Sequence, residues 1–171
     1  MTVAALMPVD VRTLVESIPD PEMPLLTLAD LGIVRDVEVT EDSGVRVTIT
    51  PTYSGCPAIS TMREDITRTL RQRGYREVRV DTSLSPAWTS DWITEDGRRK
   101  LREAGYSLPG PAPRRGSGPI PLTLTARPRG LTCPNCGSRE TQLVSEFGAT
   151  LCKAQYRCRV CLEPFDHVKE I

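Results

Sequence analysis

Histidine is almost absent from this chain: His167 is the only one in 171 residues. A di-iron carboxylate bundle needs two E-x-x-H motifs, so that class is excluded. A Cys–His or Ser–His–Asp hydrolase would have to bring its base from the far C-terminal end. Neither a P-loop nor a G-x-G-x-x-G turn occurs, so no phosphate-cradling motif is present. No catalytic set is expected in the chain by itself. Aromatic residues make up 5% and the formal net charge is zero, so the whole chain offers no electrostatic argument for nucleic acid. No run approaches 18 apolar residues, and no membrane span is expected. The start, "MTVAALMPVDVRTLVE", has neither a basic n-region nor a long apolar h-region. No signal peptide is expected there, and a cytoplasmic location follows. In that compartment clustered cysteines are more often metal ligands or reactive thiols than disulfides.

Charge and punctuation divide what is present. Residues 1–105 carry 13 basic and 17 acidic side chains, residues 106–130 four arginines and no acid, and residues 131–171 five of each sign. Between Ser107 and Gly130, ten of 24 residues are proline or glycine, too many for a regular helix. The expected organisation is a domain over residues 1–106, a linker over 107–130 and a second domain over 131–171. The basic linker reads as a solvated spacer or as a contact for an acidic partner.

Helical and strand periods alternate in the first domain. "VDVRTLVESI" places Val11, Leu14, Val15 and Ile18 on one helix face, and Pro19 and Pro21 end it. "VRDVEV" and "VRVTIT" alternate as half-buried strands, with the turn cluster "TEDSG" between them. "PAISTMREDITRTLRQRG" puts Ile59, Met62, Ile66 and Leu70 on one face, with Gly74 as a stop. "REVRVDTSL" is a third strand and "TEDGRRKLREAG" a last short helix. The expected class is α+β, a small sheet with helices packed on one face.

Five of the six cysteines lie between Cys133 and Cys161. "CPNC" and "CRVC" form two C-x2-C pairs 21 residues apart, the spacing of a structural zinc site made of Cys133, Cys136, Cys158 and Cys161. A segment of 41 residues is near the size at which a fold needs such a staple. "TQLVSEFGATLC" and "AQYRC" supply strands between the knuckles, so the α+β domain is expected to be followed by a zinc-ribbon-like β domain. Cys152 lies outside both pairs. It reads as a buried neighbour of the site, with two alternatives: a ligand in exchange with Cys161, or part of an iron–sulfur cluster, since four thiolates do not distinguish zinc from iron. A pair of disulfides is the further alternative.

Cys56 stands apart, in "PTYSGCPAIS". Pro57 favours the first position of a helix, so Cys56 is expected at or near its N-cap, in an accessible loop, where the helix dipole favours a thiolate. A nucleophile or metal ligand is one reading. A small, partly buried cap residue is the other.

"DPEMPLLTLADLGIVRDVEV", "PTYSGCPA" and "DWITEDGRRKLREAGY" resemble the SufT-like iron–sulfur assembly domain family, over about Val9 to Gly105. With the added ribbon, nearly the whole chain resembles the D-type (also called J-type) accessory family of the ring-1,2-phenylacetyl-CoA epoxidase. The resemblance implies a role in phenylacetate catabolism, in which the protein aids maturation of a metal–sulfur centre. It implies partners among the other epoxidase subunits, especially the Fe–S reductase component. It carries the role of cluster or metal carrier to Cys56, beside Asp20 and Glu22, whose plain alternative is capping of the turn after Pro21. The implied cofactors are structural Zn2+ in the ribbon and a transient Fe–S cluster or iron at Cys56. A docking subunit with an inert Cys56 is the alternative function, and a homodimer is left open. Binding of nucleic acid by the charge-balanced ribbon is not expected.

Overall fold

The computed structural model describes residues 8–41, 44–112 and 130–171, with side chains from residue 11 onward. The chain forms two compact units, residues 1–100 and 101–171. Among the described residues no helix is long and apolar enough to cross a membrane.

The first unit is built on a three-stranded sheet. Helix α1 covers Pro8–Glu16, strands β1 and β2 cover Val34–Val39 and Val45–Ile49, helix α2 covers Ala58–Gln72, and β3 covers Val78–Thr82. A 3-10 turn at Ser90–Trp92 leads into α3, Glu95–Glu103. The order is β1-β2-β3. β1 and β2 pair antiparallel, Val37 opposite Val47, with a bulge between Val34 and Asp36. β2 and β3 pair parallel, Val47 opposite Val80, and α2 makes the crossover that parallel strands require.

The central strand shows why the sheet has one covered face. Val45, Val47 and Ile49 are buried while Arg46 between them is exposed, the period-2 pattern of a half-buried strand. α2 answers with Ala58, Met62, Ile66 and Leu70, all buried at four-residue spacing. Each large member contributes roughly 1.5–3 kcal/mol of burial. α1 packs on β1 and against α2, and α2 packs on β3, so both helices share the sheet's apolar face.

A tight segment joins α1 to β1. The Thr27 amide donates to Asp30 Oδ2 at 2.8 Å and the Asp30 amide to Thr27 Oγ1 at 3.2 Å. Asp30 Oδ2 also accepts from Lys100 Nζ at 2.7 Å, and its carbonyl accepts the Thr94 amide at 2.9 Å. Gly32 follows with φ +63°, and a Cβ there would stand 2.7 Å from the Trp92 carbonyl oxygen. Only glycine meets both conditions.

The second unit is a meander of β4 (Thr141–Ser145), β5 (Lys153–Cys158) and β6 (Pro164–Val168). β6 has no counterpart in the strands expected from sequence. Its core is small: Cys133, Ala154, Tyr156, Cys158 and Phe165. Tyr156 stacks on Phe165 with centroids 5.9 Å apart. Ser107, expected to open the linker, instead pairs with β6. Its amide donates to the Asp166 carbonyl at 2.9 Å and its carbonyl accepts from Val168 at 3.0 Å. The linker reading over residues 113–129 falls outside the described residues.

Candidate metal centre and the Cys56 loop

The two knuckles repeat one backbone design. In the first, the Cys133 amide donates to the Ser138 carbonyl at 2.9 Å, and in the second the Cys158 amide donates to the Glu163 carbonyl at 3.0 Å. Each amide thus reaches the carbonyl five residues on and closes its turn. The residue after the second cysteine of each pair adopts positive φ, +74° at Gly137 and +65° at Leu162. Glycine takes that conformation without cost, whereas leucine carries strain of about 1–2 kcal/mol.

Together the turns bring four thiols to one point. The sulfurs of Cys133, Cys136, Cys158 and Cys161 all lie within 4.8 Å of one another. Cys133 Sγ is 3.7 Å from Cys161 Sγ, and Cys136 Sγ is 3.5 Å from Cys158 Sγ. A tetrahedral ion with bonds of about 2.3 Å to sulfur has edges of roughly 3.8 Å, so the residues present fit such an ion. Cys133 and Cys158 are buried, Cys161 is half-buried and Cys136 is exposed.

The electrostatics of the group call for a cation. The Cys161 backbone amide is the largest influence on the Cys158 thiol and, with the Val160 amide, outweighs burial to bring it down to about 6. The Glu163 amide favours a thiolate at Cys161, yet burial and the neighbouring sulfurs of Cys136, Cys158 and Cys133 push that thiol up to about 12. One sulfur ionises readily and its neighbour then resists. A bound dication removes that conflict and releases protons as it enters.

Cys152 is buried outside this group, with its sulfur 3.0 Å from Thr150 Oγ1.

The loop of Cys56 departs from expectation in two ways. α2 begins at Ala58, and Pro57 takes the N-cap position at φ −68° with no side-chain cap. Pro57 thus stands one place before the first helical position expected for it, and Cys56, immediately before the cap, lies near it as expected. Its amide donates to the Tyr53 carbonyl at 3.2 Å and its carbonyl accepts from Ile59 at 3.4 Å. This turn leaves Ser54, Gly55 and Pro57 exposed while Cys56 is only 8% exposed. The expected accessible thiol is thus corrected: its loop neighbours are exposed, but Cys56 itself is buried.

Asp20 is also buried, and its Oδ1 accepts from the amides of Glu22 at 2.9 Å and Met23 at 2.7 Å. It shapes the turn after Pro21. Among the described residues the four ribbon cysteines are the only potential ligands drawn together in a set of three or more. Asp20, Glu22 and Cys56 do not form one.

Sequence reasoning assigned no role to His167. The ring is 2% exposed, stands edge-on to Tyr156, places Nδ1 3.3 Å from Ser107 Oγ and Nε2 3.6 Å from Glu170 Oε1. Glu170 Oε1 also accepts the Gly110 amide at 3.0 Å. These contacts fasten Ser107 to β6 and Gly110 to the residues that follow it. The alternation of Phe165 and His167 in "PFDHV" was the available signal for β6.

Two family models match this chain, one on each part. An "Iron-sulfur cluster assembly protein" family model matches residues 8–81. A "PaaD zinc beta ribbon domain" model matches residues 118–169. An Escherichia coli (strain K12) protein, described as the D component of a "Putative 1,2-phenylacetyl-CoA epoxidase", is 44% identical over 160 residues, covering 94% of this chain and 91% of that protein. A Porphyromonas gingivalis Fe-S protein maturation auxiliary factor is 31% identical over 93 residues, 54% of this chain and 88% of its own length. The solved DUF59 domain of unknown function from Bacillus anthracis has a TM-score of 0.51 at 24% identity, covering 55% of this chain and 90% of that domain. That last likeness shows the fold alone.

Proposed function

The chain belongs to the family of the Escherichia coli epoxidase component, and on that premise we propose that it is an accessory subunit in phenylacetate catabolism that helps mature a metal–sulfur centre of the phenylacetyl-CoA epoxidase. The observation that carries this reading is the joining of an assembly-type domain to a four-thiol ribbon in one chain, matched over nearly its full length. The Fe–S reductase component is the proposed client, and Cys56 the thiol that holds iron or a cluster in transit. Cys56 is the sole cysteine before residue 133, and it sits where a strand gives way to a helix. Asp20 caps the turn after Pro21 through the Glu22 and Met23 amides.

The ribbon ion is proposed to be zinc, held by Cys133, Cys136, Cys158 and Cys161. When bound it supplies a cross-link between the knuckles. Cys133 and Cys158 anchor that cross-link in the small core, and the Val160 amide, 3.4 Å from Cys158 Sγ, supports the thiolate.

A second reading, a docking subunit with an inert Cys56, is favoured by the burial of that residue. Metal analysis distinguishes them. Chain purified without oxygen from iron-replete cells should hold about one zinc, together with iron that Cys56→Ala removes and zinc that it leaves. Iron content unchanged by Cys56→Ala favours the docking reading.

A further inference from the structure

We propose that the ribbon is an oxidation-sensitive clasp, in which a hydroperoxide oxidises Cys136, Cys158 closes a disulfide with it across the two knuckles, and the metal departs. The proposal rests on the metal reading of the four cysteines but not on any role in maturation.

The four sulfurs are not equivalent. Cys133 and Cys158 are 1% and 0% exposed, while Cys136 is exposed at the surface. Outside the group, Cys152 and Cys56 are 4% and 8% exposed. A small oxidant arriving from solvent therefore meets Cys136 first, and oxidation follows exposure together with thiolate character. Metal ligation keeps the sulfur a thiolate.

The second step is set by geometry. Cys158 Sγ waits 3.5 Å from Cys136 Sγ, closer than Cys133 Sγ stands to Cys161 Sγ at 3.7 Å. Closing to a bond of about 2.05 Å asks for a movement of roughly 1.5 Å. The chemistry balances. The Cys136 thiolate attacks one peroxide oxygen, the O–O bond breaks, and hydroxide leaves a sulfenic acid. The Cys158 thiolate then attacks that sulfur and displaces a second hydroxide. Two thiolates are oxidised by one electron each and the peroxide is reduced by two. Only Cys133 and Cys161 then remain as thiolate donors, too few for a structural site that takes four. Loss of the ion removes the staple of the second unit.

The test uses the full chain, loaded with zinc and treated with one equivalent of hydrogen peroxide. Zinc release is followed with a chromogenic chelator, and disulfides are mapped by mass spectrometry after alkylation. The expected result is one zinc released per chain as Cys136–Cys158 forms, with Cys56 and Cys152 still open to alkylation after denaturation. Cys136→Ser removes a ligand and with it the staple, so Cys152→Ser serves as the control and should show the same linkage and the same release. A first disulfide within one knuckle, a linkage through Cys152, earlier oxidation of Cys56, or retention of zinc after Cys136 is oxidised would each overturn the proposal. A chain that takes up no zinc at the outset refutes the metal reading itself, and the clasp with it.

Discussion

Replacing Cys133 by serine should unfold the ribbon and spare the first unit. Serine is nearly the same size, so little packing volume is lost, but its hydroxyl does not ionise near neutral pH and binds a soft-leaning ion poorly. Cys133 is 1% exposed and belongs to the five-residue core with Ala154, Tyr156, Cys158 and Phe165. Tyr156 and Phe165 contribute on the order of 1.5–3 kcal/mol each. Ordering the backbone opposes them by about 1–2 kcal/mol for every residue fixed. Structural zinc supplies roughly 10–16 kcal/mol in finger peptides, comparable to the whole stability of an ordinary domain, about 5–15 kcal/mol. Removing one ligand of four takes away enough to leave this core below the threshold. Zinc per chain should fall well below one, protease should digest residues 131–171, and the melting transition of the first unit should stay where it was. Cys152→Ser, by contrast, should leave zinc near one. Full zinc and an intact tail in Cys133→Ser would refute the reasoning, and loss of zinc in Cys152→Ser would make Cys152 a ligand.

Other expectations follow from single residues. Gly32→Ala should destabilise the first unit by more than about 2 kcal/mol, since φ +63° strains any side chain and the Trp92 carbonyl is in the way; a loss under about 1 kcal/mol in urea melts would contradict this. Leu162→Gly should stabilise the zinc-loaded ribbon by roughly 0.5–1 kcal/mol, the relief of strain less the backbone entropy of glycine, because Leu162 is 58% exposed and little burial is lost. Stability unchanged or lowered would count against a strained knuckle. Burial opposes the charge on Asp30, but hydrogen bonds from Lys100 and Thr27 outweigh it and hold its pKa below the ordinary 3.8. A depressed folded pKa means that the contribution is complete above the ordinary value and is lost as pH falls through the lower folded value. Acid unfolding of the first unit should therefore lose part of its pH dependence below about 4 in Asp30→Asn, and an unchanged acid profile would refute the assignment.

How much could be read beforehand depended on whether the signal was local. The apolar spacing of Met62, Ile66 and Leu70 and the alternation around Val45, Val47 and Ile49 follow directly from the helix and strand periods, and the expected elements of the first unit stand where the patterns put them. The C-x2-C spacing likewise located a four-thiol group, because a knuckle is a local turn. What was not legible depended on tertiary contact. Ser107 lies in a proline-rich run with no strand pattern, and only the partner β6 makes it extended. Cys56 is buried, the second of its two readings, and a favourable cap sequence does not choose between them. Asp20 had two readings, a companion of Cys56 or a cap for the turn after Pro21, and its Oδ1 accepts the Glu22 and Met23 amides as the capping reading has it.

The maturation role is tested most directly by the iron and sulfide content of the epoxidase reductase in cells grown on phenylacetate, compared between wild type and Cys56→Ala. The substitution sits ahead of the helix rather than in the ribbon, so the zinc site and the fold of both units should be intact in the variant, and circular dichroism and zinc analysis establish that first. If Cys56 carries iron or a cluster in transit, the reductase in the variant is under-loaded in iron and sulfide, and growth on phenylacetate is slower. A fully loaded reductase and growth equal to wild type would contradict that role and leave the chain as a docking subunit.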